Sequence, residues 1–135
     1  MSGLVIVDSD VWSEAFRRQV GEPSPERLLL ADLIRERRVQ MLGQIRQEVL
    51  QGIRAQAHFE RIRDALRAFP DRLPSSQDHE RAAEYFNLCR SRGIQGSTAD
   101  FLICACAVAW GLPVLTRDRD FGRYAEHLPL QLVRA

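Results

Sequence analysis

The chain predicts an α/β domain around a mostly parallel sheet, and three observations carry that expectation. Short β-branched runs alternate with helical stretches along its length. The first run, Leu4-Val5-Ile6-Val7, is apolar without alternation, as in a strand covered on both faces. No repeat, low-complexity stretch or linker interrupts the 135 residues, so one domain over 1–135 is expected.

The elements follow in order. Leu4 to Val7 is closed by the polar Asp8-Ser9-Asp10. Val11 to Val20 reads as a helix with Val11, Trp12, Ala15 and Phe16 near one face, broken by Gly21-Glu22-Pro23. Ser24 stands where an N-cap belongs and Pro25 at the first helical position. The helix they start is expected to run through Arg37, with Leu28, Leu29, Ala31 and Leu33 as a buried stripe. Val39 to Leu42 is a short strand. Gln44 to Ala55 is helical, with Ile45, Val49, Leu50 and Ile53 spaced by threes and fours. Ala57 to Phe69 is another amphipathic helix, stopped by Pro70, and Asp71 to Ser76 is a loop with room for a short strand. Gln77 to Arg92 carries Ala82, Tyr85, Phe86 and Cys89 at helical spacing before Gly93 ends it. Thr98 to Trp110 is apolar on nearly all sides, which puts it at the centre. Pro113 to Thr116 reads as a strand, Phe121 to His127 as a short helix and Leu130 to Val133 as a final strand.

Composition narrows the function. With 19 basic and 18 acidic residues the net charge is +1, which excludes a polycation binding nucleic acid through bulk charge; any phosphate affinity must be local. Every basic residue is Arg, which argues against enzyme classes that need a catalytic lysine. The opening MSGLVIVD lacks a basic start and meets Asp8 early, so no secretion signal is expected. The longest apolar stretch, Phe101 to Leu115, falls short of the about 20 residues of a membrane span. Cys89, Cys104 and Cys106 lack metal-ligand spacing and read as small buried hydrophobes in a reducing cytoplasm.

Acids gather where ligands of open α/β sheets bind, just beyond the carboxyl ends of strands. Asp8 and Asp10 follow the first strand, and Asp118 and Asp120 follow Pro113 to Thr116. Asp100 lies in the first turn of the central helix and Glu48 in the helix after the second strand. Each has a plainer role available: Asp8 as a helix cap, Asp100 in a capping box with Ser97, Glu48 on a solvated face, and Asp118 and Asp120 in a turn. Together they are better explained by one cleft. Two carboxylates about 4 Å apart repel by roughly 4 kcal/mol at an effective dielectric near 20. A divalent cation reverses that penalty, and oxygen ligands suit Mg²⁺ or Mn²⁺ rather than zinc. Such a site points to metal-assisted phosphodiester hydrolysis. His58, His79 and His127 have no paired acid or Cys motif and are assigned surface or packing roles. Arg35, Arg37, Arg38, Arg46, Arg117, Arg119 and Arg123 are candidates for RNA phosphate contacts or for solvated faces.

Four ordered segments resemble those of PIN-domain ribonucleases, and specifically the VapC-type toxins of bacterial toxin–antitoxin pairs. They are Val5-Ile6-Val7-Asp8-Ser9-Asp10, Gln47-Glu48-Val49-Leu50-Gln51-Gly52, Thr98-Ala99-Asp100-Phe101-Leu102-Ile103 and Leu115-Thr116-Arg117-Asp118-Arg119-Asp120-Phe121. The resemblance covers almost the whole chain and implies a three-layer α/β/α sandwich. It implies that Asp8, Glu48, Asp100 and Asp118 hold the metal, with Asp120 as an auxiliary through a second ion or water. The doubled acid leaves the fourth ligand between Asp118 and Asp120. Thr116 is implied as a hydrogen-bonding neighbour. The activity implied is Mg²⁺- or Mn²⁺-dependent RNA cleavage by a cytoplasmic homodimer, inhibited by a cognate VapB-like antitoxin that plugs the cleft. Trp12, Cys104 and Cys106 depart from the usual residues and read as packing variation. Two other readings stand beside this one. Asp8-Ser9-Asp10 also resembles the opening of haloacid-dehalogenase-like phosphatases, which normally need a lysine that this chain lacks. A non-catalytic binding module would use the same acids only as caps.

Overall fold

Val5-Ile6-Val7 forms the central strand β1 of a three-stranded parallel sheet, and all three residues are buried. The computed structural model describes residues 3–17 and 21–135. Strand β2 (Val39–Gln40) lies on one side of β1 and β3 (Val114–Leu115) on the other, giving the order β2-β1-β3. Val5 pairs with Val39, and Val7 with Leu115. Helices α1 (Ser9–Phe16), α2 (Pro25–Arg35), α3 (Gly43–Gln51), α4 (Gln56–Leu66), α5 (Ser76–Ser91), α6 (Thr98–Trp110) and α7 (Asp120–Ala125) complete an α/β sandwich. Parallel strands need crossovers, and the helices between the strands supply them.

Helix ends are set by specific groups. Helix α1 begins at Ser9, earlier than expected, because the Asp8 carboxylate accepts the Ser9 amide. The expected extension through 18–20 lies outside the described residues. Ser24 caps α2 through the Arg27 amide with Pro25 behind it, as predicted. That helix stops at Arg35 rather than Arg37: Arg37 turns left-handed at φ 57°, and the Arg38 amide returns to Leu33 O at 2.9 Å. Its buried face is Leu30 and Leu33, one turn apart, whereas Leu28 is 56% exposed. Of the expected stripe, Leu29 and Leu33 pack on the core while Leu28 and Ala31 are exposed, since residue 28 sits about 200° around the helix from residue 30.

Helix α3 ends at Gln51, short of the expected Ala55. Helix α4 ends at Leu66, short of Phe69, and Arg46 donates to Leu66 O at 3.0 Å and to Phe69 O while pairing with Asp71. These bonds satisfy carbonyls that the helix end leaves open. The strand suspected within 71–76 amounts to one parallel bridge, Met41 to Asp71. Helix α5 opens with a full capping box, Ser75 accepting the Asp78 amide and Asp78 the Ser75 amide.

Helix α6 matches its expected span, with Phe101 and Ile103 to Ala107 buried, and closes on Gly111 at φ 65°. Leu130 to Val133 does not form the expected strand. It contributes a single bridge, Val114 to Leu132, because β3 offers only two residues to pair with. Trp12, with its indole N–H on Val7 O at 3.1 Å and an edge contact to Phe69, is a core residue. The three cysteines are free and buried. Among the described residues no helix is long and apolar enough to cross a membrane.

Replacing Ser75 by Ala removes half of the capping box of α5. The expected cost is about 1 kcal/mol of folding stability, read as a lower urea midpoint at unchanged slope.

Candidate active site

Strands β1 and β3 run parallel side by side, so the residues after them emerge at one edge. The Asp8 amide donates to Leu115 O at 2.8 Å, which locks the two exits together. Thr116 then donates its hydroxyl to Asp8 Oδ2 at 2.7 Å, while Asp8 Oδ1 accepts the Ser9 amide at 2.7 Å. Asp8 is thus both a helix cap and a buried acid, 6% exposed. Burial pushes its pKa up to about 7, with Asp10 and Asp100 adding to the rise and Thr116 and Ser9 offsetting part of it.

The loop after β3 is built on the same hydroxyl. The Asp118 amide donates to Thr116 Oγ1 at 3.0 Å, and Asp118 Oδ1 accepts the Asp120 amide at 2.9 Å, a side-chain turn that starts α7. The Arg117 amide donates to both oxygens of Asp10 at 3.1 and 3.3 Å. Asp10 is raised by burial, held back by the Arg117 and Val11 amides, and raised again by Asp118. The Arg117 guanidinium turns away to Glu14 at 3.3 Å, where Ser24 also donates its amide and hydroxyl.

Asp100 and Glu48 reach the site from α6 and α3. Burial raises Asp100, the Tyr124 hydroxyl and Ser97 lower it, and Asp118 raises it. Burial also raises Glu48, followed by Asp100 and then Asp10. Glu48 Oε1 is buried without a hydrogen-bond partner. Glu48 also borders a groove of about 300 Å³ with Ser13, Phe16, Arg17, Arg54 and His58. Asp8, Asp10, Glu48 and Asp100 therefore lie close enough to a neighbouring carboxylate to be disfavoured by it, and the Asp118 charge reaches Asp10 and Asp100. Asp120 is exposed at the start of α7, and its charge is felt at Tyr124.

Among the described residues no three Asp, Glu, His or Cys side chains form a ready-made chelate. The donor set still fits a hard divalent cation, because it is all oxygen, rich in raised carboxylates, and includes one buried oxygen with no donor.

Tyr124 was not legible as a site residue. Its hydroxyl donates to Asp100 Oδ2 at 2.7 Å. The available signal was its place three residues after Phe121 on the core face of α7, since a buried tyrosine hydroxyl needs an acceptor. Asp10, grouped with the strand-end acids but not among the expected ligands, is a member of the cluster. The histidines lie outside it: His58 contacts Arg61, His127 contacts Arg92, and His79 is exposed. Several candidate phosphate contacts are occupied structurally, Arg35 with Asp32, Arg38 with Glu36, and Arg46 with Asp71. Arg119 and Arg123 are exposed beside Asp118 and Asp120 and form no ion pair among the described residues.

The family model of the PIN domain matches residues 5–127, and the chain belongs to the PIN-domain family. Its fold is similar to FitAcB from Neisseria gonorrhoeae, at TM-score 0.71 and 18% identity over 97% of each chain. It is also similar to VapBC2 from Rickettsia felis, solved bound to a promoter DNA fragment, at TM-score 0.75 and 15% identity over 96% of this chain and 97% of that one. VapBC-5 from Mycobacterium tuberculosis, a member of the VapBC family of toxin–antitoxin systems, matches at TM-score 0.70 and 16% identity over 99% and 100%. Comparison with curated protein sequences finds no match. The family membership removes the phosphatase reading.

The raised acids set the sign of the pH dependence. Folded Asp8 keeps its proton up to about 7, whereas the unfolded group loses it near 3.8. The folded state therefore binds more protons across that window, and metal-free stability falls as pH rises through it. The share from Asp8 is at most about 4 kcal/mol. Thermal melts of metal-free protein from pH 4 to 8 should show this decline, and Asp8→Asn should flatten it and raise the melting temperature at pH 8.

Proposed function

We propose that this chain, as one domain over 1–135, is a metal-dependent endoribonuclease and the toxin of a VapBC-type toxin–antitoxin pair. The observation that carries the reading is the convergence of carboxylates at the β1 and β3 ends around the buried Asp8, with Glu48 Oε1 buried and lacking any donor. The toxin–antitoxin systems among the fold's relatives support the biological half of it.

In this reading Asp8, Glu48, Asp100 and Asp118 hold Mg²⁺ or Mn²⁺, and Asp120 serves as an outer partner through water or a second ion. Asp118 is favoured over Asp120 as the fourth ligand because its charge reaches both Asp10 and Asp100. The bound cation supplies a lowered pKa for the attacking water and charge stabilisation at the phosphate. The chain supplies the rest. Asp8 is fixed by Thr116 and Ser9 and yields its proton on cation uptake. Asp10 is held against the Arg117 amide, which keeps the Asp118 loop in place. Arg119 and Arg123 attract the RNA phosphates at the mouth of the site. A cognate VapB-like antitoxin blocks the cleft of a cytoplasmic homodimer.

Purified protein should cleave single-stranded RNA with Mg²⁺ or Mn²⁺ and lose that activity in EDTA. Asp8→Asn, Glu48→Gln and Asp100→Asn should each lower the rate by about 10²-fold or more. Equal activity in wild type and variants rejects the site assignment, and an inert wild type in both ions returns the chain to the docking-module reading.

The toxin role has its own readout. Expression of the wild type alone should arrest bacterial growth, Asp8→Asn should not, and a short open reading frame adjoining the gene should relieve the arrest. Unaffected growth with active protein present would instead mark a housekeeping nuclease.

A further inference from the structure

Two helices of this chain begin with the same Ser-x-x-Asp pattern, and the second aspartate also meets a buried phenol. At α5, Asp78 folds back and accepts the Ser75 amide at 2.8 Å, closing a reciprocal capping box. At α6, Ser97 caps the Asp100 amide at 3.0 Å and also bears on the Asp100 carboxylate, which in addition accepts the Tyr124 hydroxyl at 2.7 Å. Sequence pattern alone predicts the same fold-back at both helices. What α6 adds is the phenol.

The placement of that phenol is tightly determined. Tyr124 is fully buried and packs on Phe101 at 4.8 Å and on Phe121 at 5.2 Å between ring centroids. The loop before α6 crosses it at Gly96. A Cβ there would lie 2.2 Å from Tyr124 Oη, 2.7 Å from its Cζ and 2.9 Å from Phe101 Cε2. Only glycine leaves room for the hydroxyl to reach Asp100. A bond between rigidly packed groups, made across 24 positions of sequence, orients a carboxylate more firmly than a flexible solvent contact does.

We propose that Tyr124 is a positioning residue of the acid site: beside the Ser97 contact, its hydroxyl holds the Asp100 carboxylate among Asp8, Glu48 and Asp118 for a divalent cation. The proposal rests on the metal-site reading above. It assigns Tyr124 no contact with RNA or with reacting atoms. Gly96 acts through Tyr124 by clearing its path.

The test measures Mn²⁺ uptake by the purified full chain in isothermal titration calorimetry, beside metal-free melting temperature. Tyr124→Phe keeps the ring and removes only the hydroxyl, and should weaken Mn²⁺ binding about 10-fold while moving the metal-free melt by a few degrees at most. Gly96→Ala, which displaces the phenol, should weaken binding in the same direction. Asp8→Asn is the control for the site itself. If Asp8→Asn loses binding and Tyr124→Phe binds like wild type, the positioning role is wrong and the metal site stands. If wild type takes up no Mn²⁺, the metal-site reading fails and the positioning role with it.

A second measurement needs no substitution at the site. The chain has only two tyrosines, Tyr85 and Tyr124. In wild-type protein labelled at tyrosine ¹³Cζ, saturating Mg²⁺ should shift the Tyr124 signal and leave Tyr85 in place, with Tyr85→Phe giving the assignment. An unmoved Tyr124 signal under saturating Mg²⁺ overturns the proposal even if Tyr124→Phe fails to fold.

Discussion

Repulsion between carboxylates crowded at the end of a parallel sheet is the constraint to which the rest of this molecule answers. Asp8 is nearly inaccessible and its neighbours carry the same sign. The fold stabilises them with neutral donors: the Thr116 and Tyr124 hydroxyls, the Ser9 and Arg117 amides, and Ser97 on Asp100. Hydrogen bonds of this kind orient a carboxylate without cancelling its charge. An arginine in the same place would satisfy the acids and leave them with little use for a cation. Arg117 is the nearest candidate, and its guanidinium is tied to Glu14 instead.

Four separate stretches supply the acids, and the topology is what assembles them. The β1 exit gives Asp8 and Asp10, α3 gives Glu48, α6 gives Asp100, and the turn after β3 gives Asp118. Because β1 and β3 are parallel neighbours, their carboxyl ends coincide, and the Asp8 amide on Leu115 O fixes that coincidence. Helix α6, buried on most sides, leaves its first turn at the same edge. A one-residue slip in the β1–β3 register would turn Asp8 to the opposite face of the sheet.

Much of this was legible before any coordinates. Unbroken apolar runs ending in acids gave away β1 and β3, and caps such as Ser24-Pro25 marked helix starts, because both signals are local. What escaped depends on contacts distant in sequence. On α2 the expected Leu29 and Leu33 do pack on the core, but Leu30 takes the place of Leu28 and Ala31 because it shares a face with Leu33 at helical spacing. The last strand failed because its partner β3 is too short to extend a ladder, something Leu130 to Val133 does not encode. The left-handed Arg37 gives no sign in its residue type. Among the acids, spacing separated the candidates from the background but not their roles. Asp118 and Asp120 look alike on paper and differ only once the turn places one inward and the other at the surface.

The thiols beneath the site impose a chemical filter. Cys104 lies close enough to Asp100 and Asp8 to feel both charges, and burial followed by those charges drives its thiol far above the ordinary cysteine range. Cys106, which faces Asp78 and Arg72 rather than the site acids, is likewise pushed by burial up to about 12. Sulfur ligates as the thiolate, and these sulfurs stay protonated at neutral pH. Soft ions such as copper or cadmium thus meet no anionic sulfur next to the acids. Hydrophobic packing thereby leaves carboxylate oxygen, not sulfur, to carry the charge beside Cys104.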